Sequence, residues 1–122
     1  MKSYTKDDPP SILSARALMI YELKITNNIN NFPKKYRHNL VDRIINTTVS
    51  LMEDIRTAYN GYDKTEKIKY INSAITKCDC LKDILPCILE ALHPKISINH
   101  WNHLLDELKT QLEKWKGSLI KK

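Results

Sequence analysis

The sequence predicts an all-α protein, an antiparallel four-helix bundle of up-down-up-down topology. Three observations carry that expectation. Apolar residues recur at spacings of three and four along four long segments. The breaks between segments are short, about three to five residues, which makes consecutive helices antiparallel neighbours. The 122-residue chain has only two glycines, Gly61 and Gly117, whereas tight hairpins and phosphate-cradling loops lean on glycine.

Residues 1–10 end in Asp7, Asp8, Pro9 and Pro10 and read as a flexible leader, because acids and prolines suit a helix start. Residues 11–119 form the bundle domain and 120–122 a basic tail. The first helix should run from Ser11 to Asn30, with Leu18, Tyr21, Ile25 and Ile29 as its stripe. Asn27, Asn28, Asn30 and Asn31 weaken its end and Pro33 stops it. The second begins at Pro33 or Lys34, since proline is tolerated in a first turn. Its stripe is Leu40, Val41, Ile44, Ile45, Thr48, Leu51, Met52 and Ile55, within about 140° of a helical wheel. Asn60 and Gly61 close it as a C-cap.

The third helix spans Asp63 to Leu92. Ile68, Ile71, Ile75, Cys78, Leu85, Ile88 and Leu92 share one side, and Ala74, Leu81, Ile84 and Ala91 widen it, so burial on two sides is expected. Pro86 should kink this helix without breaking it. A break follows at His93-Pro94. Ser97 caps the fourth helix, in which Ile98, Trp101, Leu105, Leu108, Leu112, Trp115 and Leu119 form an unbroken heptad seam. That seam suits the bundle interior or a second subunit.

Hydrophobic residues make up 42% and charged residues 28%, ordinary for a globular domain. A chain this long buries roughly two-thirds of its unfolded surface, enough to fold without metal or disulfides. Cys78, Cys80 and Cys87 are odd in number and read as free thiols of a reducing, cytoplasmic compartment. The polar N-terminus does not resemble a signal peptide, and no apolar run approaches the ~20 residues of a membrane span.

Chemistry finds little purchase. Cys78 and Cys80, two apart on a helix, point about 200° apart and cannot chelate one ion. His100 and His103 could share a face, but no paired Glu-x-x-His pattern accompanies them. Glu22 and Asp54 fall near stripe edges, and Asp106 and Glu107 look solvated. One nuclease class of bundles places His five to seven residues after Arg, and neither Arg43 nor Arg56 has such a partner. The expectation is therefore no enzyme, no metal and no cofactor.

Positive charge is the remaining signal. The chain carries 20 Lys and Arg against 14 Asp and Glu, a net +6, which suits an anionic partner; on charge alone a well-solvated surface that merely happens to be basic is an equal alternative. Residues 31–60 hold Lys34, Lys35, Arg37, Arg43 and Arg56 against three acids; residues 93–122 hold six lysines, among them Lys109, Lys114 and Lys116, against three. Residues 61–92 balance at five against five. Alternating helices put the start of the second and the end of the fourth at opposite ends. Two separate basic regions are expected, Lys34–Arg37 and Lys114–Lys122, to contact phosphate.

Tyr21-Glu22-Leu23, then Phe32-Pro33-Lys34-Lys35-Tyr36-Arg37, then Ile96-Ser97 with Trp101, and Trp115 with Ser118 resemble the Avd family. These are accessory variability determinants of diversity-generating retroelements, grouped with bundle proteins of ribosomal RNA intervening sequences. The resemblance spans Ile12 to Ser118. It departs at Glu107–Trp115, where the family's glycines are missing and its Arg position holds Thr110.

The resemblance implies a homopentameric barrel of four-helix bundles with a basic surface and no activity of its own. Such proteins bind RNA, DNA and the element's reverse transcriptase, which makes adenine-mutated cDNA. Five copies would carry five times the +6 of one chain. From a different class comes the alternative of a protein-binding adaptor that touches no nucleic acid; a bundle enzyme is a third reading.

Overall fold

In a computed structural model, which describes residues 8–121, the chain forms an all-α four-helix bundle. The helices are α1 (Pro10–Thr26), α2 (Asp42–Asn60), α3 (Lys64–Leu92) and α4 (Ile98–Lys121). α1 packs against α2 and α4, and α3 packs against the same two, so the helices follow one another around a ring. The direction alternates. The Tyr21 hydroxyl near the end of α1 donates to the Ser97 carbonyl just before α4, at 3.2 Å. Ile12, Ala15 and Arg16 at the start of α1 lie beside Met52, Ile55 and Arg56 toward the end of α2. One end of the bundle therefore holds the α1–α2 and α3–α4 connections. The other holds the α2–α3 connection, the start of α1 and the end of α4.

The core follows the apolar spacing. Leu18 and Ile25 of α1, Ile44, Leu51 and Ile55 of α2, and Ile71, Cys78, Leu85 and Ile88 of α3 are buried. Trp101, Leu105, Leu108 and Leu112 of α4 are fully buried, while Ile98, Trp115 and Leu119 pack at its margin. The α4 seam thus faces the bundle's own interior. Ala74 and Leu81 are buried too, which gives α3 its broad apolar surface against both α2 and α4.

Several boundaries depart from the sequence reading, each for a local reason. α1 stops at Thr26, not Asn30. Thr26 Oγ1 donates back to the Glu22 carbonyl at 2.7 Å, and Asn28 Oδ1 accepts the Asn30 N–H at 2.9 Å, a local turn that competes with the helix. Ile29 is consequently half-exposed, and Phe32 is the buried residue that closes this end. The second helix does not run unbroken from Lys34. A 3₁₀ turn (Lys34–Tyr36) and a π-helical turn (Arg37–Val41) lead into α2, a rewinding that re-aims successive side chains.

Gly61 does not adopt a left-handed cap; its backbone is extended at φ −75°. The Lys67 ammonium instead donates to the α2 carbonyls of Ala58 and Tyr59, at 3.2 and 3.5 Å. The left-handed residue is His93, φ 48°, which ends α3 ahead of Pro94. α3 continues through Pro86, which sits on an exposed position. Ser97 caps α4, its Oγ accepting the His100 N–H at 3.0 Å. Pro10 already belongs to α1, and Ile120 and Lys121 are helical where a tail was expected. Residues 1–7 of the expected leader and Lys122 lie outside the described residues.

Glu22 and Asp54, expected near edges, are buried. Asp54 accepts from the Lys77 ammonium at 2.6 Å and the Ser73 hydroxyl at 2.7 Å, tying α2 to α3. Asp106, expected to be solvated, pairs with Lys82, and Asp79 pairs with Lys109 at 2.7 Å. Asp79-Cys80-Leu81-Lys82 on α3 and Asp106-Glu107-Leu108-Lys109 on α4 read alike. Run antiparallel, each lysine meets the other helix's aspartate, with Leu81 and Leu108 buried among them. A slip of one turn would set like charges opposite each other, so this double pair matches the α3–α4 register that the buried leucines set.

Candidate nucleic-acid interface

The basic residues singled out in the sequence divide into three groups. Lys34 and Lys35 are exposed on the 3₁₀ turn, Arg37 opens the π-helical turn half-buried, and Arg43 is exposed on the first turn of α2. None of these four has an ion pair among the described residues. They share the bundle end that carries the α1–α2 and α3–α4 connections.

Arg37 lines a groove of about 520 Å³ between the last turns of α1 and the start of α2. Lys24, in the last turn of α1, lines the same groove. Lys95, in the α3–α4 connection, is exposed at this end as well. Lys24 escaped the sequence reading because it stands apart from the Lys34–Arg37 run. The signal was available: a residue in the last turn of one helix comes beside the first turns of the next once the chain reverses. The acids nearby are Asp42, which lines the groove, and Glu90, exposed near the end of α3. His38 Nδ1 stands 3.6 Å from Asp42.

Arg56 and Lys109 form a second group, whose charge is met within the chain. Arg56 lies 3.6 Å from Asp8, and its guanidinium covers the Tyr59 ring at 5.6 Å. Lys109 is held by Asp79, a hydrogen bond that pushes the pKa of its ammonium upward. Both side chains join elements of the bundle. Lys114 and Lys116 form the third group, with Lys121 beyond them, on the last turns of α4 at the opposite end. The structure brings together Lys34, Lys35, Arg37 and Arg43, and separates them from Lys114 and Lys116.

A catalytic reading has one group to consider. Glu22 is fully buried, and desolvation pushes its pKa up to about 7, against the lowering effect of its two hydrogen bonds. Those bonds take both oxygens. Thr48 Oγ1 donates to Oε1 at 2.5 Å, and Trp101 Nε1 donates to Oε2 at 3.0 Å. The Tyr21 and Phe32 rings stand edge-on to the Trp101 indole, at 6.2 and 6.4 Å. Oxygens so enclosed have no path to a substrate. Glu22 is a polar anchor joining α1, α2 and α4, and the sequence reading missed it because its partners lie 26 and 79 residues away.

Among the described residues no three His, Cys, Asp or Glu side chains converge to hold a metal ion. Cys78 is buried, and Cys80 and Cys87 are exposed free thiols. No described helix is long and apolar enough to cross a membrane. The sequence and fold match no family profile, no characterised protein and no solved structure. The functional reading therefore rests on the basic end itself and on the motif resemblance.

Proposed function

We propose that this chain is a non-catalytic, polyanion-binding bundle. In its specific form it is the accessory protein of a diversity-generating retroelement, acting in the cytoplasm. It would hold RNA or DNA together with the element's reverse transcriptase, which supplies the chemistry of mutagenic cDNA synthesis. One observation carries the polyanion reading: Lys24, Lys34, Lys35, Arg37 and Arg43 gather at one end without ion pairs among the described residues. Phosphates neutralised there release counterions, and binding should weaken steeply with salt. The sequence holds no known base-reading motif, so weak sequence preference is expected. The retroelement role is supported by the resemblance of Phe32–Arg37 and the α4 motifs.

The test is the triple variant Lys34→Ala, Lys35→Ala, Arg37→Ala, titrated against single-stranded RNA by fluorescence anisotropy at several salt concentrations. Helicity should be unchanged. Three lost phosphate contacts should flatten the salt slope by about 2, at ~0.7 per contact for a single strand. An unaltered slope and affinity would reject this end as the interface. Light scattering tests the pentamer, and a 14.3 kDa species at micromolar concentration would remove it.

The protein-binding adaptor remains the second reading, and one feature favours it. Tyr36 and Leu40 form an apolar groove of about 340 Å³ with Ile84, Ile88 and Leu92 of α3, beside the basic end. Salt-insensitive capture of a protein partner, with no binding of RNA, would support the adaptor over the polyanion reading.

A further inference from the structure

The chain has four histidines, His38, His93, His100 and His103, and the helix topology gathers them. His38 lies in the π-helical turn of the α1–α2 connection, His93 is the left-handed residue that ends α3, and His100 stands in the first turn of α4. These three therefore share the bundle end that carries Lys24, Lys34, Lys35, Arg37, Arg43 and Lys95, and all three are exposed. His103, also exposed, is one turn further along α4. The end that carries Lys114, Lys116 and Lys121 has no histidine.

What faces each imidazole decides what a proton on it would do. His38 Nδ1 is 3.6 Å from Asp42, and Lys34, Lys35 and Arg37 precede it in the same connection. α3 packs against this connection at Tyr36 and Leu40, and brings Glu90 and, further from the end, Asp83. His93 follows Glu90 by one turn and precedes Lys95. Toward His93, α2 brings Asp42 and Arg43, and α4 has no Asp, Glu, Lys or Arg before Asp106. His100 meets the Tyr21 ring of α1 edge-on, centroids 4.9 Å apart. The charged groups beside it on α1 are Lys24 and Glu22, whose oxygens Thr48 and Trp101 occupy.

Six cations at this end thus stand against two exposed acids, Asp42 and Glu90, an excess of four. Three imidazolium charges would raise that excess to seven, whether or not Asp42 and Glu90 pair with them.

We propose that this end is a proton-linked grip on polyanions, in which His38, His93 and His100 gain charge as a strand binds, so that the hold tightens as pH falls. The inference rests on the polyanion reading and adds its regulation. Histidine is the side chain whose charge ordinarily changes between pH 5 and 8, and a phosphate brought near an imidazole favours the charged form. Binding then takes up protons, and by linkage protons strengthen binding. Ordinary lysine and arginine side chains hold their charge across that range. They set a floor of affinity that the histidines raise.

The probe is a ten-nucleotide oligouridylate carrying a pH-insensitive rhodamine; its bases and backbone do not titrate between pH 5.5 and 8. Its binding to the full chain is followed by fluorescence anisotropy over a salt series at both pH values, with circular dichroism to check helicity. The salt slope should be steeper at pH 5.5 by about 2, at ~0.7 per added phosphate contact for a single strand, and affinity at low salt should rise at least tenfold. Calorimetry at pH 6.5 in two buffers of different ionisation enthalpy should show net proton uptake on binding.

The triple variant His38→Gln, His93→Asn, His100→Gln should bring the two slopes together and reduce the uptake. Asparagine is chosen at position 93 because it tolerates the left-handed backbone there. Glu22→Gln should keep the difference between slopes, because that carboxyl titrates in the core. Equal slopes at the two pH values in the parent chain, or a pH dependence that the triple variant retains, overturns the proton linkage and leaves the polyanion reading standing. Absence of binding at both pH values removes the two together.

Discussion

Replacing Glu22 by Gln tests the core most directly, because the effect should depend on pH in a way no packing change imitates. A carboxyl held near 7 in the folded chain, against 4.5 ordinarily, keeps its proton in the fold after the unfolded chain has lost it. Between those values the native state binds more protons, so stability falls as pH rises. Below about 4.5 this penalty is absent, and above about 7 it is complete. The gap corresponds to about 3 kcal/mol, at ~1.4 kcal/mol per pH unit. Glu22 meets two neutral donors, Thr48 and Trp101, and no cation offsets its charge.

Glutamine can satisfy the same site. Its oxygen can accept from Trp101 Nε1, and its amide can donate to Thr48 Oγ1. That hydroxyl can in turn donate to the Ile44 carbonyl, already 3.2 Å away. Glu22→Gln should therefore match the parent chain at pH 4 and exceed it at pH 8 by about 3 kcal/mol, on the order of 10 °C in Tm. Urea and thermal unfolding followed by circular dichroism across pH 4–8 would show it. The other titrating groups are common to both chains and cancel in the difference. Parallel stability curves, or a variant weaker at pH 8, would refute the buried-carboxylate argument.

Trp101→Phe removes one of the two donors; its packing loss should be the same at every pH, while the lost bond should cost about 1 kcal/mol more at pH 8 than at pH 5, because pH 8 lies one unit above the folded pKa of about 7 and a unit is worth ~1.4 kcal/mol, measured by urea unfolding. Asp54→Ala strands the half-buried Lys77 and the Ser73 hydroxyl, and should lower stability by about 2 kcal/mol, read as a smaller urea midpoint at unchanged slope. Burial pushes the Cys78 thiol up to about 12, so at pH 8 a thiol reagent should label Cys80 and Cys87 quickly and Cys78 only on unfolding; fast labelling of all three would contradict the packing of α3.

The four helices were legible because apolar spacing is a local property. The α4 seam is the clearest case, since Trp101, Leu105, Leu108 and Leu112 follow it and all four are buried. The ends were less legible. Whether Asn27–Asn30 stays helical depends on Asn28 bonding to a neighbour's backbone, and the 3₁₀ and π turns of Lys34–Val41 leave no mark in its apolar spacing. Glu22 was illegible in principle. Beside Tyr21 it reads as the polar border of a stripe, and only α2 and α4 together turn that border inward. Charged side chains pose the same difficulty at the surface. Sequence names Lys34 and Lys109 as equals, but Asp79, 30 residues from Lys109, neutralises one and leaves the other free of ion pairs among the described residues.

That sorting of charge explains how a modest net +6 can make a directed surface. Lys77, Lys82 and Lys109 each pair with an aspartate at a helix seam, so pairing removes equal numbers of both signs. The excess is unchanged in size but is left to the remaining side chains, many of them at the bundle ends. Asp106, the seam acid of α4 nearest the Lys34 end, lies eight residues into the helix from Ile98. At ~1.5 Å per residue that is about 12 Å along the axis. Physiological salt screens exposed charges beyond about 8 Å. Lys24, Lys34, Lys35, Arg37 and Arg43 thus act on an approaching strand largely without opposition from the seam carboxylates. Swapping Asp79 and Lys109 should keep the pair and leave RNA affinity unchanged, whereas moving one lysine from position 34 or 35 to mid-bundle should weaken it at constant net charge.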